Sequence, residues 1–255
     1  MQTKNIVVLM DYAGEVGTDC LKTFLENNIK ISGIVCVGDK YSEKKLRILK
    51  ERTGGFYKKV SFEAILEKLD HLPVFITPDI NSEHCREILT KLAPDIVIVD
   101  AVDIIRTDIY NIPTIGMLNC HLAILPYMRG CSCTEWAILE DNPIGATCHF
   151  LIKQVDAGKI IKRFLLEIDQ QDTYEQIRAK AIYLQAHTMV KGLEEVLRNK
   201  IVNDKPYKRE GGWYSPMRDE KLINRVKEKI KLNKYLPNNE INDGLPLEKI
   251  SIDIP

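Results

Sequence analysis

Residues 5–19 read NIVVLMDYAGEVGTD. The opening NIVVLM is a short apolar run rich in β-branched side chains, as expected of a strand buried on both faces. Gly14 and Gly17 follow, and then Cys20, Leu21, Phe24 and Leu25 recur at helical spacing. Strand, glycine loop and helix form the opening unit of an α/β fold. The spacing is not G-x-G-x-x-G, so the loop is weak evidence of a dinucleotide site. A tight turn and close helix packing are the expectation for the two glycines.

Outward from this unit the alternation continues. Strands are expected at 31–37, 73–77, 95–101 and 114–121, with helices at about 43–52, 61–69 and 81–92. Such alternation predicts βαβ units and an open, mainly parallel, Rossmann-like sheet flanked by helices. The pattern changes after a helix expected at 131–141. Two strands, 144–152 and 159–168, are joined only by KQVDAG, too short for a helical crossover, so a late antiparallel hairpin is expected. A long helix spans about 173–199, capped by Asp172 or Thr173. Residues 1–200 are expected to form one catalytic domain. Residues 201–255, rich in Pro, Gly, charge and aromatics, read as a small C-terminal extension packed on it, with a basic helix at 219–232 and a tail that is mostly loop.

Lys plus Arg and Asp plus Glu each total 36 in 255 residues, and this balance argues against a general nucleic-acid binder. No apolar run approaches the roughly 18 residues of a membrane-spanning helix, and the apolar start is too short for a signal peptide. Seven cysteines in no disulfide-like pattern suit reduced thiols, and a cytoplasmic location without membrane contact is the expectation.

In NCHLAILPYMRG (119–130), Asn119 and His121 stand two apart near a strand's end, so both side chains project to one side and Cys120 to the other. Open α/β sheets bind ligands at the carboxyl ends of their strands. Asp156, in the turn VDAGK, reaches the same crevice if the hairpin lies beside that strand. An amide donor, an imidazole with an ordinary pKa of about 6.5 and a carboxylate suit acyl transfer. No G-x-S-x-G elbow is present and no cysteine has a catalytic setting, which favours direct attack by the acceptor. Two other readings stand beside this one. The pair can be a polar strand stopper, and Cys120, His121, Cys131 and Cys133 are zinc-type ligands by residue type. No C-x₂-C pair exists, however, and no metal is expected. His149 reads as structural.

The run NCHLAILPYMRG…WAI…GATCHFLIKQVDAGKII resembles the signature of the folate-dependent formyltransferases. The matches are Asn119, His121, Leu125, Pro126 and Gly130, then Trp136-Ala137-Ile138, then Gly145, Thr147 and His149, then Asp156, Gly158, Ile160 and Ile161. Ala123-Ile124 and Cys131-Ser132-Cys133 depart from the family pattern, and the loop after the fourth strand lacks its usual glycine. The resemblance implies a Rossmann-like fold and 10-formyltetrahydrofolate as co-substrate. It implies Asn119, His121 and Asp156 as the catalytic trio, acting on a tetrahedral intermediate. It places Ala101, Val102, Asp103, Ile104, Ile105, Leu125 and Gly158 at the folate site.

Three acceptor classes in this family differ in chain plan. The chain is longer than the glycinamide ribonucleotide type, and a neutral chain with about 55 residues after the core is expected to fit poorly with the longer C-terminal barrel and basic surface of the methionyl-tRNA type. It fits best a sugar-nucleotide N-formyltransferase, whose acceptor is a small-molecule amine on a nucleotide-linked amino-deoxy sugar. That branch is commonly dimeric, which leaves a homodimer open. WYSPMRDEKLI loosely resembles a stretch found after the core in this branch. There Trp213 or Tyr214 can stack on a base, and Lys208 or Arg218 can meet a diphosphate. The alternative is that the aromatics pin the extension to the core. A non-catalytic Rossmann-like nucleotide-binding module is the competing reading of the whole chain, and a formyl-donor requirement separates the two.

Overall fold

The computed structural model describes residues 4–40, 42–69, 71–100, 103–106, 108–203 and 211–254. The chain begins β1 (Ile6–Asp11), α1 (Glu15–Glu26), β2 (Gly33–Val37), α2 (Glu43–Thr53), α3 (Phe62–Lys68), β3 (Val74–Thr77) and α4 (Glu83–Leu92). It continues β4 (Ile96–Asp100), a 3₁₀ turn (Asp108–Asn111), β5 (Gly116–His121), β6 (Met128–Gly130), α5 (Cys133–Glu140), β7 (Gly145–Phe150) and β8 (Ile160–Leu166). It ends α6 (Tyr174–Asn199), β9 (Gly212–Tyr214), α7 (Glu220–Lys231) and β10 (Glu248–Ile250). Among these residues no helix is long and apolar enough to cross a membrane.

One eight-stranded sheet runs in the order β10-β8-β7-β5-β4-β1-β2-β3. The strands from β3 to β5 are parallel, β5 and β8 pair antiparallel with β7, and β10 lies parallel to β8 at the edge. The open sheet and the late hairpin are thus both present. Side chains alternate between two cores. Ile6, Val8, Ile98, Leu118, Cys120 and Phe150 face the layer of α1 and α6, whereas Val7, Leu9, Val97, Val99 and Met117 face the layer of α4. Helix starts follow side-chain capping. Ser42, Ser61 and Ser82 accept from N–H groups in their first turns, and Thr173 with Gln176 closes a capping box at α6. Asp172 is not the cap, because both its oxygens take Lys180 Nζ at 2.7 Å.

Two features depart from the sequence expectations. The tail contains β10, and Gly212–Tyr214 forms β9, parallel to β6 in a separate two-stranded sheet. Three-residue strands carry too little period to be read in advance. The tail is also held by Arg163 of β8, whose side chain is fully buried. Nε donates to Pro246 O, Nη1 to Leu125 O and Asp243 Oδ2, and Nη2 to Asp243 Oδ1 and Leu245 O, so all five donors are used. One guanidinium thus joins a strand, the loop after β5 and the C-terminal segment.

The glycine loop has a specific reason. Gly17 N–H donates to Asp100 Oδ2 at 2.6 Å, and a Cβ on Gly17 would stand 2.9 Å from that oxygen and 2.7 Å from Met10 Cε. A Cβ on Gly14 would also fall 2.9 Å from it. Only glycine lets α1 close onto this buried carboxyl. Burial raises the Asp100 pKa to about 7, the Gly17 hydrogen bond opposes the rise, and Glu15, Asp11 and Asp19 add to it.

Two expectations follow. Arg163→Met removes the guanidinium from Asp243 and from three carbonyls, and should lower unfolding stability by about 3–5 kcal/mol in guanidinium titration. Asp100 keeps its proton when folded but releases it near pH 3.9 when unfolded. Its contribution is therefore full below about 3.9 and is lost as pH rises through about 7. Asp100→Asn should show a smaller fall in Tm than the parent between about pH 5 and pH 8.

Candidate active site

β5 ends with Asn119 and His121 on its α4 side, while Cys120 is buried on the other side. Antiparallel pairing places His149 of β7 opposite Asn119 and Thr147 opposite His121. The loop between β7 and β8 then returns Asp156 to this point. Asp156 sits at φ 51°, and Gly158 permits the fold-back, since a Cβ there would lie 1.8 Å from Phe150 O. The Asp156 carboxylate accepts from Gly130 N–H at 3.3 Å, faces His121 Nδ1 at 3.9 Å and faces His149 Nε2 at 3.8 Å.

The hydrogen-bond pattern assigns the roles. His149 Nδ1 lies 2.9 Å from Phe150 O, so Nδ1 carries the proton and donates. Nε2 is then the acceptor for Asn119 Nδ2 at 3.3 Å. This fixes the Asn119 amide with one N–H on His149 and a second N–H left to give. Burial pushes the fully buried His149 down to about 4; Asp156 opposes and His121 adds to the shift, and the ring is neutral. His121 Nε2 lies 3.1 Å from Met128 O, which orients the ring with Nδ1 toward Asp156. Cys133 Sγ stands 3.7 Å from His121 Nε2, but burial, then Asp156, push its pKa up to about 12, so it remains a thiol. Among the described residues no group of three His, Cys, Asp or Glu side chains is placed to hold a metal ion.

These groups open on a cavity of about 460 Å³. Asn119, His121 and Asp156 all line it, as do Asp103, Ile104 and Ile105 from the loop after β4. Val99, Tyr110, Leu151 and Ile152 extend that apolar wall, which suits a flat heteroaromatic ring. Arg52, Glu135, Arg178 and Gln185 line the cavity as well.

Other sequence expectations fall elsewhere. Ala101, Val102 and Lys208 lie outside the described residues. Leu125 is a core residue off the cavity, its N–H on Thr147 Oγ1 and its carbonyl on Arg163. Gly158 also lies off the cavity wall, serving the loop's return. Tyr214 packs on Trp136 at 5.8 Å between centroids and donates to Glu140 at 2.6 Å, so it pins the extension to the core. Trp213 and Arg218 are exposed and do not line the cavity. His149, structural by its pattern in the sequence, here orients Asn119. Its signal was present in G-x-T-x-H, where Thr147 and His149 share a strand face. Arg52, Glu135 and Arg178 gave no motif.

Comparison with known proteins is consistent with this arrangement. Residues 4–193 match the family described as "Formyl transferase". The bifunctional polymyxin resistance protein ArnA of Wigglesworthia glossinidia brevipalpis is 28% identical over 200 residues, 78% of this chain and 28% of that protein. A methionyl-tRNA formyltransferase of Bacteroides fragilis is 22% identical over 204 residues, 79% of this chain and 59% of that protein. The chain thus spans less than two thirds of either relative. Among solved structures, phosphoribosylglycinamide formyltransferase from Anaplasma phagocytophilum superposes with TM-score 0.61 at 17% identity, covering 84% of this chain and 99% of that one. The N-formyltransferase from Helicobacter canadensis, in complex with folinic acid and dTDP-3-aminofucose, superposes with TM-score 0.59 at 16% identity, covering 83% and 71%. At these identities the likeness is one of fold.

The depressed His149 pKa gives a signed expectation. The unfolded chain takes a proton near pH 6.5 that the folded ring refuses until about 4, so stability falls as pH drops through this window. His149→Phe should lose this acid sensitivity, read as a smaller drop in Tm between about pH 7 and pH 5.

Proposed function

The chain belongs to the formyl transferase family, and on that premise we propose that it moves the formyl group of 10-formyltetrahydrofolate to the amine of a nucleotide-linked amino-deoxy sugar. The observation that carries the transfer chemistry is the convergence of Asn119, His121 and Asp156 on one cavity, with Asn119 oriented by His149. The acceptor nitrogen attacks the formyl carbon directly. The unused Asn119 N–H is available to the formyl oxygen as negative charge develops there. His121 takes the proton released by the attacking amine at Nδ1, and the Asp156 carboxylate stabilises the resulting imidazolium. The proton then passes to the folate nitrogen as its bond to the formyl carbon breaks. The products are the formamide and tetrahydrofolate, and no charge or atom is left over. Cys133, held as a thiol, takes no part as a nucleophile.

The sugar acceptor rests on one neighbour of like fold that was crystallised with dTDP-3-aminofucose. The test is an acceptor panel of dTDP- and GDP-linked amino sugars with 10-formyltetrahydrofolate, reading tetrahydrofolate release. Formylation of a sugar nucleotide is expected. Turnover only with methionyl-tRNA or glycinamide ribonucleotide reassigns the acceptor. His121→Ala and Asp156→Asn should each cut kcat by about 10²–10⁴-fold while the circular dichroism spectrum is kept. Parental rates in both variants would end the catalytic assignment.

A further inference from the structure

The cavity bends over the carboxyl end of β5, and its two walls belong to opposite faces of the sheet. Val99, Ile105, Tyr110 and Leu151 belong to the layer of α4. Cys120 and Leu122 belong to the layer of α1 and α6, and on that side the wall is completed by Arg52 of α2, Glu135 of α5 and Arg178 of α6. The first side is mostly apolar, with Asp103 and Lys153 also lining the cavity, the second carries the Arg52, Glu135 and Arg178 cluster, and Asn119 and His121 lie between them.

The charged wall is an incomplete network. The Glu135 side chain is 1% exposed. Its Oε1 accepts from Arg52 Nη1 and from the Tyr174 hydroxyl at 2.9 Å, and lies 3.3 Å from Arg178 Nε. Burial alone would raise the Glu135 pKa, but Arg178 and Arg52 outweigh it and hold the group ionised. Two guanidiniums against one carboxylate leave one positive charge, on side chains only 20% and 18% exposed. Arg52 also donates to Met217 O at 2.8 Å, and Arg178 Nη1 donates to Thr134 Oγ1 at 3.0 Å. Arg178 Nη2 has no hydrogen-bond partner among the described residues. Glu135 Oε2 is buried without a partner. A surplus cation on the cavity wall is unfavourable until a ligand brings an anion to it.

We propose that Arg178, with Arg52 held beside it by Glu135, is an anion subsite that takes a phosphate group of the amine acceptor. The acceptor assignment rests on the formyl-transfer reading; the anion subsite does not. A phosphate supplies the missing partner, an oxyanion to Arg178 Nη2. The folate approaches along the opposite, apolar wall. Glu135 is a positioning residue here, acting through the two arginines.

The test is calorimetric titration of the full chain with inorganic pyrophosphate and, separately, with folinic acid. Pyrophosphate should bind the parent, and Arg178→Met should weaken it by at least about tenfold, the loss expected for one charge-assisted contact. Arg178→Lys, which keeps the charge but not the fork, should fall between, and it keeps the measurement alive if the methionine variant does not fold. Folinic acid affinity should be the same in all three. Equal pyrophosphate affinity in the parent and a folded Arg178 variant, or no binding by the parent, overturns the subsite. Loss of folinic acid affinity with pyrophosphate unaffected gives the arginine to the donor's carboxylates and overturns the acceptor assignment. Arg178-dependent pyrophosphate binding in a protein that formylates no sugar nucleotide supports the subsite and sinks only the sugar reading.

Discussion

The site depends on how β5 is paired. On one edge β5 runs parallel to β4, and on the other antiparallel to β7. The parallel neighbour brings the loop after β4 to the end of β5, and with it Ile104 and Ile105. The antiparallel neighbour does something a parallel one could not. It sets His149 directly across from Asn119 and sends the chain from β7 back through a short loop, so that Asp156 returns to the level of His121. If the register slipped by one residue, His149 would face the opposite core and Asn119 would lose the acceptor that orients it.

Buried ionisable groups resolve in two opposite ways within this fold. Glu135 and Asp100 are both almost fully enclosed. Glu135 has two guanidiniums within contact and stays charged. Asp100 has one backbone N–H and acidic neighbours, and burial wins, so its carboxyl holds a proton to about pH 7. His149 obeys the same rule with the opposite sign, since burial favours its neutral form. A neutral ring is the form that can accept from Asn119 through Nε2 while donating through Nδ1. The desolvation that perturbs these groups thus also sets their hydrogen-bonding roles.

The chain after α6 contributes to the fold more than to the cavity. β9 pairs with β6, β10 extends the main sheet, and Asp243 meets Arg163. These contacts brace the loop between β5 and β6. Tyr214 and Trp136 belong to the same bracing, with Trp136 Nε1 donating to Ser215 O at 2.9 Å. Trp213 and Arg218, which composition alone makes attractive ligand contacts, face outward instead.

The features legible in the sequence are those that local backbone geometry dictates. Strand and helix periods located the main elements, and the two-residue spacing put Asn119 and His121 on one side. The brevity of KQVDAG required a hairpin, and the motif run carried the family. Which distant side chains share a wall was settled by packing between elements. Arg52, Glu135 and Arg178 lie on three helices far apart in the chain and meet only because those helices cover one face of the sheet. The same packing put Leu125 in the core, left Trp213 exposed and made His149 a partner of Asn119. Periodicity records which way a residue points from its own element, whereas register and layer packing determine what it meets there.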